Sequence, residues 1–431
     1  MCAVRHSFLT LLLTLRSLIG GCVATAAALA IGVATLVPVA GEPNAPAGCL
    51  ICGSLGGVDA VLNIVLFVPL GIGLALAGLR ARSAIAAMCA FTILIELLQA
   101  TVIHGRYGSA ADVITNSLGG MLGFVSGLYG HLALRPTVAR ARVLACTWAV
   151  VWFTVQVLVA LSFVPAPGEP PYYGHVRRPH WSSGLVFNGD VVGATLASVP
   201  VRPGELPDGE RMRAEYRGRD GAPFTAIVAP AGAPEGRREI VVVAGVRGGI
   251  GSFEQQNADL VWGARTGADV LRLRPFWFRM TDVFVLPADG SPHDTLRIIA
   301  RYGQEEAVLT VMSAGVHRQR HFAHRLSKGW VLVMPFDVEL DEDVSELLVG
   351  AAFMALLLIP AGYWGSTAVG SSGRATVARG LAGLATLLAL GLILTPSLLG
   401  LRNAAIWEWA CCMAGVFAGA LIARSGGSAK A

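Results

Sequence analysis

Long apolar runs alternate with short polar connections over most of the chain. A helix needs about 20 apolar residues to cross a hydrocarbon core about 30 Å thick, and about eight runs reach that length. The first run is longer than the core of a secretory signal, which is about 7–15 residues, so we expect it to remain as a helix. The predicted membrane helices lie near Phe8–Val37, Val61–Leu79, Ser83–Ile103, Val113–Leu134, Val143–Val164, Val344–Tyr363, Thr376–Leu401 and Ala404–Ala423.

The hydrophobic period changes between Trp181 and about Asp337, where short apolar runs are separated by Gly, Pro and Asp-Gly turns. Several short strands at regular spacing, without helical stretches, predict a two-sheet β-sandwich. The sequence Pro165–Pro171 is typical of a stiff linker that leaves the membrane. The predicted strands are Met212–Tyr216, Phe224–Ala229, Glu239–Ala244, Asp259–Trp262, Val270–Leu273, Leu296–Ala300, Ala307–Val311 and Val331–Met334.

These patterns predict an α-helical integral membrane protein with an inserted all-β jelly-roll sandwich. The expected domains are a five-helix unit at residues 1–164, the sandwich at 165–340 and a three-helix unit at 341–431. A hydrophobic content of 54% and a charged content of only 14% also favour a bilayer environment over a soluble globular domain. The chain has no dense basic stripe with interleaved aromatic residues, so we expect no nucleic-acid partner. No cofactor or metal motif is present either.

Basic residues predict the direction of the helices. They concentrate on alternate connections, while the connections between these carry few. The positive-inside rule then places both ends of the chain in the cytoplasm and the sandwich outside a cytoplasmic (inner) membrane. The Arg residues of the long inserted domain do not oppose this orientation, because long domains translocate regardless of charge. The orienting residues are Arg80, Arg82, Arg135, Arg140, Arg142, Arg374, Arg379, Arg424 and Lys430.

Polar side chains inside apolar helices are the best functional candidates, because an ionisable group in a membrane costs several kcal/mol unless it is paired or hydrated. They occur in the second, third and fourth predicted helices, at i,i+3 or i,i+4 spacing. With alternating helix direction, these residues should meet near the external surface as an acidic, partly compensated cluster. They are Asp59, Asn63, Glu96, Gln99, Arg106, Asp112 and Asn116.

Gly119, Gly123 and Gly127 repeat every four residues along the fourth predicted helix. Small residues at this spacing allow a neighbouring helix to approach closely. Asn116 continues the same face, which ties the glycine stripe to the polar cluster.

The region of about residues 55–130 resembles the VanZ-like family. The family's founding member confers low-level teicoplanin resistance, and its members are integral membrane proteins, so the resemblance implies a cell-envelope role without supplying a reaction. The inserted domain also resembles the concanavalin A-like (laminin G-like) jelly roll, through Leu260–Arg274 and Gly329-Trp330-x4-Pro335. The VanZ-like resemblance rests on Asp59-x3-Asn63-x3-Phe67-x-Pro69-x-Gly71, Glu96-x2-Gln99, Gly105-Arg106 and Asp112-x3-Asn116-x2-Gly119-x3-Gly123.

The polar cluster has two interpretations. Glu96 or Asp112 could act as a general acid or base beside Arg106, which would bind a phosphate or carboxylate. Alternatively, Arg106 neutralises both acids and fixes the helical hairpin. Cys49 and Cys52 precede the cluster in a loop that we expect outside the cell, where a structural disulfide is the favoured state.

Two further groups are interpreted from their residue types alone. His317, His321 and His324 lie among arginines and predict a solvated basic edge, with a metal site as the alternative. The aromatic run Phe276–Phe278 predicts sandwich core, with a sugar-stacking surface as the alternative.

The eighth predicted helix contains a weak echo of the fourth. Arg402, Glu408, Gly415 and Gly419 repeat the spacing of Arg106, Asp112, Gly119 and Gly123, while Cys412 stands where Asn116 would be. A degenerate second copy and a coincidence in a Gly/Ala-rich chain both account for this spacing.

Three functional hypotheses follow. The first is an envelope protein that binds a cell-wall glycan or lipid-linked saccharide, with antibiotic resistance or surface-polysaccharide assembly as its output. The second is a membrane-embedded enzyme that modifies a lipid-linked precursor at Glu96, Arg106 and Asp112. The third is a scaffold that docks another envelope protein.

Overall fold

The computed structural model describes residues 2–38, 54–106, 108–180, 183–246, 248–285, 295–313, 316–370 and 373–428. The chain forms two compact units, Met1–Arg140 and Ala141–Ala431. Most of the fifth helix belongs to the second of these units, together with the inserted domain and the last three membrane segments.

Among the described residues, the first unit contains four whole helices: α1 (Cys2–Leu36), α2 (Gly56–Leu76), α3 (Ala81–Thr101) and α4 (Ala110–Leu134). Their outward faces are apolar, as shown by Leu29, Val33 and Val65, which are all more than half exposed. Aliphatic side chains on the outside of a helical bundle are suited to lipid rather than to water. A small core lies between the helices and includes Ile31 and Phe67.

The helices of the second unit flank the inserted domain in the sequence. They are α5 (Val138–Phe163), α8 (Val344–Leu356), α9 (Ile359–Val369), α10 (Arg374–Ala389), a π-helical turn (Leu390–Leu394), α11 (Thr395–Leu398) and α12 (Ile406–Ser428). In the described residues, eight helical segments of the chain are long and apolar enough to cross a membrane, with α8–α9 and α10–α11 each forming one segment. This confirms the predicted number of spans.

The inserted domain contains two sheets. Within the described residues, their strands are β1 (Tyr172–Val176), β2 (Gly189–Leu196), β3 (Val199–Pro200), β4 (Gly204–Glu205), β5 (Pro223–Pro230), β6 (Arg237–Gly245), β7 (Gly251–Gln256), β8 (Asp259–Ala264), β9 (Trp277–Met280), β10 (Leu296–Tyr302), β11 (Glu306–Ser313), β12 (Val316–Ala323) and β13 (Glu339–Leu340). The sheet orders are β13-β9-β8-β7-β6-β1-β4 and β12-β11-β10-β5-β2-β3. The strand pairs are antiparallel except for β13 and β9. The predicted fold class, a helical membrane protein with an inserted β domain, is therefore confirmed.

Three of the predicted strands are wrong. Met212–Tyr216 belongs to helix α6 (Gly209–Tyr216), Val270–Leu273 begins at the end of the short helix α7 (Gly267–Val270), and Val331–Met334 covers the end of a 3₁₀ helix at Leu326–Val333. Short apolar runs fit a buried helical turn as well as a strand, because both bury two or three side chains over that length. The expected absence of helices in this domain is therefore also wrong.

An aromatic core joins the two sheets and extends to α5. Phe224 of β5 stacks on Phe253 of β7 with ring centroids 4.4 Å apart. At the end of α5, Phe163 stacks on Phe276 at 4.2 Å, and its carbonyl accepts a hydrogen bond of 2.9 Å from the Tyr302 hydroxyl. Phe276 and Phe278 are fully buried, as predicted for core residues, whereas Trp277 between them is only partly buried and lies outside this core. The β domain and α5 thus share one continuous core.

Candidate functional site

The glycines of α4 bring this helix against the backbone of α2. A Cβ atom added to Gly119 or Gly123 would lie less than 3.0 Å from a carbonyl oxygen of α2, that of Ile64 or Val68 respectively. Real Cβ atoms do not approach backbone so closely, so a larger residue would separate the helices. At Gly127, an added Cβ would meet Ala75. The close crossing lets short polar side chains one turn away reach across the interface.

Asn63 and Asp112 form the polar contact between α2 and α4. The Asn63 amide Nδ2 donates to Asp112 Oδ1 at 3.0 Å. Asp112 occupies the first turn of α4, where the helix dipole favours a carboxylate, and its backbone N–H donates to the hydroxyl of the N-cap residue Ser109. Asp112 is half-buried, and its carboxyl group lies close enough to Asp59 and Arg106 to interact with their charges. It is therefore an accessible carboxylate with an orienting amide.

Glu96 reaches the same helix start from α3. Its Oε2 accepts a 2.7 Å hydrogen bond from the backbone N–H of Ser109, and the residue is buried at 8% exposure. This contact satisfies a backbone donor that a helix N-terminus leaves without an intrahelical partner. Glu96 therefore closes the α3–α4 connection, which is a structural use of its carboxylate.

Asn116 lies one turn deeper than Asp112. Its Nδ2 donates to the Thr92 hydroxyl of α3 at 2.8 Å, and both residues are buried. In the described part of the chain, the Asn116 Oδ1 atom has no hydrogen-bond partner. A buried amide oxygen without a donor marks a place where a water or a ligand group could bind.

Gln99 and Arg106 contact the end of α1. Gln99 Nε2 donates to the Thr35 carbonyl at 2.9 Å, and Arg106 Nε donates to the Val37 carbonyl at 3.3 Å. Carbonyls at a helix C-terminus lack intrahelical donors, so these side chains supply them. Within the described residues, no ion pair of 4 Å or less joins Arg106 to Glu96 or Asp112. Arg106 acts on Asp112 only as a nearby charge.

The first unit therefore brings all seven predicted polar residues to the helix ends and loops on one side of its bundle. Direct side-chain contact joins Asn63 to Asp112, while Glu96, Gln99 and Arg106 bind backbone groups. Four of their partners were not predicted: Thr35, Val37, Thr92 and Ser109. Ser109 had a signal, since Ser-x-x-Asp is typical of a helix start. The carbonyls of Thr35 and Val37 have no sequence signal. Cys49 and Cys52 lie outside the described residues.

The outer face of the seven-stranded sheet contains a second polar group. Arg237 of β6 forms ion pairs with Glu254 of β7 and, at 3.8 Å, with Glu339 of β13. Burial alone would raise the pKa of Glu254, but the hydrogen bonds and charges of His180 and Arg237 hold this pKa below its usual value. The Arg237 guanidinium also lies 4.2 Å from the ring centre of Trp277. Arg237 therefore covers one face of the Trp277 ring.

A shallow groove of about 220 Å³ lies beside this network. Its lining includes Gly251, Ser252, Gly263, Arg265, Asp269 and Trp277. Its small side chains leave room for a flat ligand, and Arg265 provides a cationic wall. The Arg265 Nε atom is buried and, in the described structure, unpartnered.

Three carboxylates gather where the chain enters α8. One oxygen from each of Asp341, Asp343 and Glu346 lies within 4.8 Å of the others. Asp343 is the N-cap of α8 and accepts from the Glu346 backbone N–H at 2.8 Å, while Glu346 accepts from the Asp341 backbone N–H at 2.6 Å. Helix capping accounts for the cluster.

The prediction of a solvated basic edge is correct for His317 and His321, which are exposed, and wrong for His324. His321 of β12 is exposed and lies 3.1 Å from Glu306, as expected of a solvated edge. His324 is instead buried between the rings of Phe163 and Tyr302, and burial lowers its pKa from 6.5 to about 3. Sequence spacing alone did not distinguish the two, because the strand ends between them.

The fold and the polar cluster define a class: a multi-pass helical membrane protein with an inserted β domain. Residues 22–130 match the family model VanZ/LLP1, so the chain contains a VanZ-like domain that covers most of the first unit. No curated protein and no solved structure matches the chain.

Proposed function

We propose that this protein binds a component of the bacterial cell envelope at the polar cluster of its VanZ-like domain. The candidate ligands are a lipid-linked saccharide and a peptidoglycan fragment, both rich in hydroxyl and amide groups. The supporting observation is the half-buried Asp112 carboxylate, held by Asn63 at 3.0 Å within a close helix crossing. An oriented carboxylate of this kind is a good acceptor for such donors.

The proposed location is the cytoplasmic membrane, with both ends of the chain inside and the β domain outside. The distribution of Arg between alternate connections supports this orientation. It predicts that alkaline phosphatase fused after Glu205 is active and that the same enzyme fused after Thr137 is inactive. The reverse result would invert the membrane orientation and with it the proposed ligand.

Binding is tested with the full chain in nanodiscs and an undecaprenyl-diphosphate-linked muropeptide as the probe. We expect Asp112→Asn to weaken binding about tenfold, since it removes a charge-assisted hydrogen bond to the ligand worth roughly 1.5 kcal/mol. Asn63→Leu should weaken binding less, because it removes only the amide that orients this carboxylate. The control is Asp190→Asn, at an exposed carboxylate of β2 that pairs with Arg177. Equal binding by all variants would remove the polar cluster from consideration. Expression in a teicoplanin-sensitive host tests whether the protein raises resistance to teicoplanin.

The enzymatic alternative requires a carboxylate free to exchange a proton, and the geometry favours Asp112 over Glu96 for that role. Glu96 is buried and bound to the Ser109 backbone N–H. Mass spectrometry of the nanodisc probe would distinguish the two functions, because an enzyme alters the mass of the probe whereas a binding protein returns it unchanged.

A glycan site on the β domain is a second candidate, in keeping with the concanavalin A-like resemblance. It is supported by the groove lined by Arg265 and Trp277. Pull-down with purified peptidoglycan tests it. Arg265→Ala should reduce capture, whereas Arg211→Ala, on the exposed face of α6, should not. A scaffold would capture no glycan in either variant.

A further inference from the structure

Two helix crossings, one in each unit, have the same register. In both, glycines four residues apart on the later helix face carbonyl oxygens four residues apart on the earlier one, at distances that exclude a Cβ atom. The facing pairs are Gly119–Ile64 and Gly123–Val68 in the first unit, and Gly415–Ala355 and Gly419–Ile359 in the second.

Each crossing also has a contact in the opposite direction. Gly71 of α2 faces the Gly120 carbonyl of α4, and Gly362 of α9 faces the Val416 carbonyl of α12. In both helices a proline precedes this glycine by two residues, as Pro69 and Pro360. The three contacting residues of α2 precede their counterparts in α8–α9 by the same number of positions. The corresponding pairs are Ile64 and Ala355, Val68 and Ile359, and Gly71 and Gly362. A chance glycine repeat would not reproduce both sides of the interface.

The C-terminal halves of the intervening segments share four buried positions, whereas Ala84 and Met88 of α3 and Pro396 of α11 are buried without a buried counterpart. The third helix buries Thr92, Ile95, Glu96 and Gln99, and α10–α11 with its π turn buries Leu388, Gly391, Leu392 and Thr395. The spacing within the two sets is identical. Each set also lies the same number of positions before the glycines of the helix that follows it. These are Gly119 and Gly123 in the first unit and Gly415 and Gly419 in the second. Leu388 therefore corresponds to Thr92, Leu392 to Glu96 and Cys412 to Asn116.

We propose that α8–α12 is a second copy of the α2–α4 unit, and that its former polar cluster has become the attachment point of the β domain. Apolar residues replace most of the polar side chains in this copy. The carboxylate that remains, Glu408, corresponds to Asp112.

Glu408 binds the β domain directly. The residue is fully buried, and its Oε1 accepts a 3.1 Å hydrogen bond from the Ser327 backbone N–H. The Arg325 guanidinium lies 3.7 Å from Oε2, which also accepts from the Ala405 backbone N–H at 2.7 Å. A buried carboxylate requires such compensation, so its removal should release the segment that contains Ser327.

The position equivalent to Asp59 supports the same assignment. It is Gly350 on α8, where an added Cβ would lie 3.0 Å from the Ser327 carbonyl oxygen. Loss of the side chain makes room for the β-domain segment where the first unit has a carboxylate. Gly350 and Glu408 thus both contact the same part of the β domain, the segment at residues 325–329.

The attachment is tested by trypsin cleavage after Arg325 and Lys328 in the full chain in nanodiscs. Glu408→Ala should accelerate cleavage about five- to thirtyfold, the change that one or two lost interactions produce in an opening equilibrium. Asp112→Ala, the matched change in the first unit, should leave this cleavage at the wild-type rate. Wild-type cleavage in Glu408→Ala, or equal acceleration in both variants, would overturn the proposal. If Glu408→Ala does not fold, Glu408→Gln takes its place.

The register is tested independently by rebuilding the Thr92–Asn116 pair in the second copy. Cys412→Asn and Leu388→Thr should each lower the thermal midpoint. The double variant should lower the thermal midpoint by less than the sum of the two single decreases, because the introduced hydroxyl can hydrogen-bond to the introduced amide. The control replaces Leu388→Thr with Leu384→Thr, one turn away, where the losses should add. Additive losses in both pairs would show that the copies are not in this register. Ligand binding at Asp112 is not involved in either test.

Discussion

The first helical unit and the β domain satisfy their buried polar groups in different ways. In the helical unit, Glu96, Gln99 and Arg106 each bind a backbone N–H or carbonyl. On the outer face of the β domain, Arg237 instead pairs with two carboxylates and covers an indole ring. A helix passing through lipid offers free backbone groups only at its ends. Most polar residues of the helical unit are therefore found near the helix ends, while the sheet face holds its buried charges in a network of ion pairs.

The largest effect is expected from breaking this network. Glu254→Ala should destabilise the β domain by roughly 3–5 kcal/mol, because it leaves a largely buried guanidinium without its main partner. The loss should fall near the lower end, since Arg237 keeps Glu339 at 3.8 Å. Hydrogen exchange of the β7 amides measures it. Glu215→Ala removes the exposed partner of Arg211 and should cost at most about 0.5 kcal/mol. Similar losses in the two variants would contradict the buried network.

Acid should weaken the β domain through His324. Burial lowers the pKa of this histidine from 6.5 to about 3, so between these values the unfolded chain binds a proton that the folded chain excludes. The contribution of His324 to stability is therefore complete above about pH 6.5 and falls as the pH decreases, by about 1.4 kcal/mol per pH unit, or about 2 kcal/mol at pH 5. Thermal unfolding between pH 7 and pH 5 measures the slope.

His324→Gln provides the control for this titration. Burial also lowers the pKa of His175, which contributes with the same sign, and raises the pKa of Glu339 and of Asp269, which contribute with the opposite sign. His324→Gln should therefore reduce the slope by the share that His324 contributes. The pKa of Glu254 is held below its usual value and acts in more acidic solution, outside this window. A slope unchanged by His324→Gln would mean that other groups cause the acid sensitivity.

In the helical unit, the strongest test concerns the α2–α4 crossing. Gly123→Ala places a Cβ against the Val68 carbonyl and should cost about 1–3 kcal/mol, because the helices must move apart. Gly130→Ala on the same helix meets no atom within 4 Å and should be neutral or stabilising by up to about 1 kcal/mol. Thermal midpoints in detergent compare the two. Equal midpoints would show that the close crossing is not needed for stability.

The sequence predicted the helices better than the strands. A membrane helix is specified by about 20 consecutive residues, so Val344–Tyr363 was recognisable even though the helix breaks between α8 and α9. Strands such as β7 (Gly251–Gln256) contain few apolar residues and were not predicted. Their stability comes from neighbouring strands, which the local sequence does not contain.

The polar cluster was predicted in part for a similar reason. The i,i+4 spacing placed Asp112 and Asn116 on one face, and helix direction placed Asn63 nearby. Partners that act through backbone atoms, such as the Val37 carbonyl, have no residue type to reveal them. The Ser109 N–H that binds Glu96 was missed because it depends on where α4 begins, which the sequence defines only within several residues.

The smallest effect should come from the deepest polar contact. Thr92→Val keeps the shape of the side chain but removes the acceptor of the Asn116 amide at 2.8 Å. Hydrogen bonds between membrane helices contribute on average about 0.6 kcal/mol and at most about 1.7 kcal/mol, because the separated helices find other partners. The loss should vanish when Asn116→Leu is already present, since the amide is then absent. Thr115→Val is the control, because that hydroxyl bonds to the Ala111 carbonyl of its own helix. A loss from Thr92→Val well above about 2 kcal/mol, or one that persists beside Asn116→Leu, would mean that Thr92 holds something other than Asn116.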